Sequence, residues 1–102
     1  MSNNSKGYLY ILRSTKSKKL YFGSTIDPQN RLARHNSGRV AATRSKDPWL
    51  FECIVEFSSI TLARRAEQWL KRMHKKELLE MIIDHKFNWP QEFEPIQYVS
   101  IG

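Results

Sequence analysis

Apolar and polar residues change their spacing several times along this chain, and each change marks an element. Gly7-Tyr8-Leu9-Tyr10-Ile11-Leu12-Arg13 is rich in aromatic and aliphatic residues and predicts a strand. Ser14-Thr15-Lys16-Ser17 predicts a polar turn, and Lys18-Lys19-Leu20-Tyr21-Phe22-Gly23 a second short strand, so the pair reads as a hairpin. A four-residue loop at 14–17 sets Tyr10 directly opposite Tyr21 on one side of the sheet. One more loop residue would part them, because side chains alternate with period two. Asp27-Pro28 predicts a helix start, since Asp accepts from free N–H groups and proline has none to waste at the first position. The helix should run to about Ser37, with Gly38 terminating it. Arg31, Arg34 and His35 share one face of it, and its thin apolar content, mainly Leu32 and Ala33, makes it a short surface helix.

Residues 38–48 form a basic loop. Trp49, Phe51, Cys53, Val55 and Phe57 then alternate as a third strand with one apolar face. Thr61 is the expected cap of the next helix, whose stripe of Leu62, Ala66, Trp69, Leu70 and Met73 spans about 100° of arc. Continued in phase, that stripe would take in Glu77 and lose Leu79 and Ile82. The phase must therefore slip near His74–Lys76, giving two helices over about 61–73 and 75–84. The predicted fold is α+β: a small, three-stranded, largely antiparallel sheet flanked by helices, in the order β-β-α-β-α-α, over residues 7–84. Residues 1–6 are expected to be a disordered polar tail, and residues 85–102 an arm lying against the body.

At 102 residues a single domain is the expectation. With 40% hydrophobic and 26% charged residues the composition is that of a globular chain. Cys53 is the single cysteine, which excludes an internal disulfide and a cysteine zinc cluster. On the apolar side of its strand it reads as a buried structural thiol. No apolar run approaches the ~20 residues of a membrane span, and no secretory signal is visible. These features predict a cytoplasmic, intracellular protein with no membrane partner, with a monomer as the expected state.

Charge changes the picture. The chain carries a net +7, and residues 1–46 hold ten Lys or Arg against one acid, Asp27. A first half this basic points to a polyanionic partner, each neutralised phosphate releasing a condensed counterion. A plain solubility surface would look the same, and charge alone does not separate DNA from RNA or an acidic membrane. No P-loop, HExxH motif or paired Cys or His at metal spacing is present. What remains is two tyrosines on adjacent strands, an Arg/His face on the following helix and a carboxylate further on.

Tyr8-Leu9-Tyr10 followed by Tyr21-Phe22-Gly23 resembles the paired elements of the GIY-YIG nuclease superfamily. Arg31, eight residues past that glycine, then His35 one turn on, and Glu67 within Ala63-Arg64-Arg65-Ala66-Glu67-Gln68-Trp69 continue the family's order. Gly38 and the segment from Thr43-Arg44 to Pro48-Trp49 look like the small stand-alone bacterial members and the structure-specific eukaryotic branch. The likeness covers about residues 7–83, with Tyr8 in place of the leading glycine and Phe22 in place of isoleucine. Asn88 stands as a candidate for the asparagine the family often has near the domain's end.

The resemblance implies an endonuclease that hydrolyses phosphodiester bonds, with DNA rather than RNA as substrate and Mg²⁺ or Mn²⁺ as cofactor. Glu67 would be the metal ligand. Tyr10 would accept the proton of the attacking water, with Arg31, the metal and Lys19 stabilising its phenolate. Tyr21 would bind the water or a phosphate oxygen, Arg31 would hold phosphate through its planar fork, and His35 would contact phosphate or assist proton transfer. Lys19, Arg34, Arg39, Arg44 and Lys46 would form the electrostatic track for the backbone. Without the resemblance, Glu67 reads as a surface glutamate paired with Lys71, and the tyrosines as packing residues. A non-catalytic nucleic-acid-binding module and a basic protein–protein adaptor are the alternatives. In a chain this short, recognition by shape and backbone should outweigh sequence preference.

Overall fold

The computed structural model describes residues 6–44 and 48–101. Four strands and three helices follow in the order β1 (Gly7–Ser14), β2 (Leu20–Thr25), α1 (Pro28–Asn36), β3 (Trp49–Phe57), α2 (Ile60–Met73), α3 (Lys76–Ile83) and β4 (Gln97–Tyr98). All pairings are antiparallel and the sheet order is β2-β1-β3-β4. The α+β class with a helix-flanked antiparallel sheet is therefore as expected, but the sheet has four strands rather than three. The fourth comes from the segment after α3. Gln97 and Tyr98 pair with Glu56 and Val55 through the backbone, and the flanking Ile96 and Val99 amides donate to the Glu56 and Ile54 carbonyls. Two residues held by backbone bonds leave no alternation to read. Of the tail expected over residues 1–6, all but Lys6 lies outside the described residues; Lys6 pairs with Glu56 at 2.7 Å.

Alternation along β1 feeds two different cores. Leu9 and Ile11 join Cys53, Val55, Phe57, Ala63, Ala66, Leu70, Leu79, Ile82 and Phe93 on the side of α2 and α3. Tyr10 and Leu12 join Trp49 and Ile54 on the other side, where Leu32 of α1 and Tyr21 pack against them. The single apolar face expected for β3 is divided between the two. Ile11 pairs with Cys53 but Leu12 with Phe51, so Glu52 is an extra residue in the ladder. Past this bulge the parity reverses, sending Trp49 and Phe51 to one side and Cys53, Val55 and Phe57 to the other. Gly7 lets the start of α2 sit directly on β1, since a Cβ there would overlap the Ile60 backbone.

The hairpin loop is displaced by one residue from its expected position. Ser14 is fully buried at the end of β1, pairs with Trp49, and its Oγ accepts from the Lys16 and Ser17 amides. Lys18 takes the left-handed conformation that completes the turn. The register consequently moves by two: Tyr10 opposes Gly23 and Leu12 opposes Tyr21. An even shift preserves the shared side of the two tyrosines.

The helix boundaries follow local chemistry. Asp27 caps α1 by accepting from the Asn30 amide, as expected. Ser59, not Thr61, caps α2: its extended backbone aims Oγ at the Leu62 amide. The slip expected near His74 is a break, with His74 left-handed and its N–H donating to the Leu70 carbonyl. That break returns Leu79 and Ile82 to the core.

Candidate active site

Tyr10 is 1% exposed and its hydroxyl is held from two directions. Arg31 Nε donates to Tyr10 Oη at 3.2 Å, and Tyr10 Oη lies 3.0 Å from His35 Nε2. On its far side, His35 Nδ1 lies 2.8 Å from Thr43 Oγ1, which in turn donates to the Val40 carbonyl. Burial, with Arg31 and Arg34 nearby, lowers the His35 pKa to about 4, so the ring is neutral at physiological pH. Thr43 Oγ1 gives its proton to the Val40 carbonyl and so accepts from His35 Nδ1–H, which leaves Nε2 of the neutral ring as an acceptor and fixes the sense of the chain. Arg31 donates to Tyr10, Tyr10 to His35 Nε2, and His35 Nδ1–H to Thr43. The phenol proton thus points inward, leaving oxygen lone-pair density towards the pocket. Burial raises the Tyr10 pKa, opposed by Arg31, so Tyr10 is a neutral phenol rather than a standing phenolate.

The scaffold behind this chain is tight. Asn36 at the end of α1 exchanges two hydrogen bonds with the Trp49 backbone, and Trp49 Nε1 donates to the Thr43 carbonyl. Tyr21 packs edge-on to His35, with ring centroids 5.0 Å apart. Its hydroxyl has no hydrogen-bond partner among the described residues. Gly23 on the edge strand β2 keeps the site open, because a Cβ there would stand 2.7 Å from Tyr10 Oη.

Glu67 enters from α2. Its Oε1 accepts from Ser24 Oγ at 2.5 Å and its Oε2 pairs with Lys71 Nζ at 2.8 Å. The ion pair with Lys71 and a place at a functional pocket therefore coexist. Tyr10, Tyr21, Gly23, Ser24, Arg31 and Glu67, with Arg64 and Gln68, line one cavity of about 400 Å³. Glu67 is its one carboxylate, and no group of three His, Cys, Asp or Glu gathers anywhere among the described residues. Zinc, which takes three or four nitrogen, sulfur or carboxylate ligands, does not fit this set. A hydrated magnesium-like ion does, since it keeps several waters and needs one or two carboxylates plus substrate phosphate. The Lys71 side chain is half exposed and can leave Glu67 without disturbing the core.

The remaining sequence candidates lie elsewhere. His35 is fully buried behind Tyr10, with Nε2 on the phenol oxygen, and does not line the cavity. Lys19 is exposed at the hairpin end, four residues or about 13 Å along the strand from Gly23, and does not line the cavity. Arg34 is exposed and flanks a separate shallow groove with Arg39, 100° around α1 from His35. Arg44 Nε donates to the Gly38 carbonyl, closing the loop after α1. Lys46 lies outside the described residues. Three lining residues escaped the sequence reading: Ser24, Arg64 and Gln68. Arg64, three residues before Glu67 on the same helix, carries a spacing signal; Ser24 carries none.

The family model for the GIY-YIG catalytic domain matches residues 6–80. The chain belongs to the GIY-YIG family. It is 35% identical over 80 residues to a UPF0213 protein of Syntrophus aciditrophicus, covering 76% of this chain and 91% of that one. Identity to a UPF0213 protein of Staphylococcus haemolyticus is 35% over 78 residues, covering 76% and 94%. A protein of Debaryomyces hansenii named structure-specific endonuclease subunit SLX1 is 36% identical over 90 residues, which is 78% of this chain but 26% of its own length. This GIY-YIG chain is thus an enzyme of the nuclease class, and the cavity gathers its tyrosines, arginine and glutamate.

Proposed function

We propose that the cavity is the active site of a divalent-metal-dependent endonuclease that hydrolyses phosphodiester bonds in DNA, with little sequence preference. The observation that carries this reading is the convergence of Tyr10, Arg31 and Glu67, from three separate elements, on one open cavity. Glu67, with the Ser24 hydroxyl beside it, would hold Mg²⁺ or Mn²⁺ once Lys71 turns aside. Such an ion supplies Lewis-acid stabilisation of charge on the phosphoryl oxygens.

The chain's own groups supply the rest. Arg31 approaches phosphate with the nitrogens that Tyr10 leaves free, and offsets charge as the phosphorane-like transition state develops. Tyr10 Oη accepts a hydrogen bond from the attacking water and orients it. As the new P–O bond forms, the water proton passes to Tyr10 while the phenol proton moves to His35 Nε2. The bond from phosphorus to the leaving sugar oxygen breaks, and that oxygen takes a proton from solvent. Tyr21 contributes a free hydroxyl to a phosphate oxygen or the water.

The test is incubation with supercoiled, branched and single-stranded DNA in Mg²⁺ or Mn²⁺. Cutting by the wild type that disappears in Glu67→Ala, with DNA binding retained, is the expected outcome. Binding without cutting in either metal would point instead to a nucleic-acid-binding module.

A further inference from the structure

The outer side of α2 carries a second, larger cleft of about 610 Å³, within the roughly 300–1,000 Å³ of ligand pockets. Arg64 and Gln68 line both this cleft and the candidate active site, so the two adjoin across one turn of helix. Its floor is apolar, made by Leu62, Trp69 and Phe93. The Trp69 ring is set by a tilted contact with Phe87 at 6.1 Å and an edge contact with Phe93 at 5.8 Å. Its rim is cationic. Arg65 and Arg72 stand seven residues apart on one face, about 10 Å along the axis. With Arg64 they oppose a single acid, Glu92, and none of the three arginines has an ion pair among the described residues.

We infer that this cleft binds an unpaired, single-stranded stretch of the nucleic acid whose phosphodiester lies in the active site. This inference rests on the nuclease reading and adds the form of the substrate to it. Two chemistries must be met together: anionic phosphates for the guanidiniums, and a flat apolar face for the half-buried Trp69 ring, which the buried Phe93 supports from beneath. A duplex offers the first but hides its base faces in the stack. A single strand offers both, and aromatic platforms inside a basic groove bind it with little sequence preference. The shared Arg64 and Gln68 place that strand next to the bond to be cut. The chain would therefore favour junctions between paired and unpaired strands.

The test compares a fluorescent blunt duplex with the same duplex carrying a single-stranded thymidine tail, by anisotropy in EDTA and by cutting in Mg²⁺ or Mn²⁺. The tailed duplex should bind about tenfold more tightly. Arg65→Glu/Arg72→Glu, two exposed residues outside the active site, should erase that preference by at least about fivefold while blunt-duplex cutting persists. Trp69→Phe should keep most of the preference and Trp69→Leu should lose it. The arginine pair decides the matter if Trp69→Leu fails to fold. Equal affinity for the two duplexes, or equal weakening of both by the arginine reversals, with cutting intact, would overturn the inference and leave the nuclease reading standing. A tail preference with no cutting of any substrate in either metal would overturn the nuclease reading instead. If a second copy of this chain covers the cleft, the arginine reversals will dissolve a dimer and leave tail affinity unchanged, which also overturns the inference.

Discussion

Strand β1 faces two interiors of opposite character. Towards α2 and α3, Leu9 and Ile11 join a cluster of aliphatic and aromatic side chains with Cys53, whose thiol pKa burial pushes up to about 12. Towards α1, Tyr10 meets a buried chain of Arg31, His35 and Thr43. The first interior stabilises by area removed from water, tolerates change in proportion to volume, and has no orientation to protect. The second stabilises little by itself, because each polar group is costly to bury unless its partner is in place. What it does is hold one phenol oxygen in one orientation at the mouth of a cavity. A chain of 102 residues thus separates holding the fold from aiming the chemistry by the alternation of a single strand.

Substitutions on the two sides should fail in different ways. The largest effect is expected at the cavity itself: Glu67→Gln should slow cutting by about a thousandfold, with thermal unfolding little changed. Next, Ile11→Ala should cost about 2–5 kcal/mol of stability in denaturant unfolding, while the rate per folded molecule stays at the wild-type value.

A pH series sharpens the contrast further. His35 in the folded chain refuses a proton until about pH 4, whereas an unfolded histidine takes one near 6.5. Stability from this group is therefore complete above about pH 6.5 and lost as pH falls towards 4, by up to about 3 kcal/mol. His35→Gln removes that titration, so its melting temperature should fall less steeply than the wild type's over this window. A wild-type curve flat over the same window would show that the buried ring is not neutral. The smallest effect is expected from Lys71→Met, which frees one Glu67 oxygen. It should lower the metal concentration for half-maximal cutting a few-fold, read from a Mn²⁺ titration of the rate.

Much of this division was legible in the chain. The Asp27-Pro28 start of α1, the three long strands and the break at His74 follow from local chemistry, where a side chain acts on its own backbone. The hairpin register did not, because burying Ser14 against Trp49 is a tertiary event that moves the loop by one residue. Nor did the bulge at Glu52, which redirects half of β3 while the apolar spacing in the sequence stays regular. Among the candidate residues, Tyr10, Tyr21, Arg31 and Glu67 meet because family order encodes a spatial arrangement. Charge and helix spacing group Lys19 and Arg34 with them, but neither signal carries the direction of the cavity. His35 was placed on the correct face, but its depth depends on Thr43 and Trp49, brought in from the loop and from β3.

Single-turnover cutting by the wild type, Tyr10→Phe, Glu67→Gln and the double variant tests most directly whether the phenol and the carboxylate serve one reaction. The expected result is a loss of about a hundredfold or more in each single variant, and a double variant no slower than the worse of the two, as for residues acting as a unit. A Tyr10→Phe or Glu67→Gln enzyme cutting at the wild-type rate, or losses that multiply in the double variant, would contradict it.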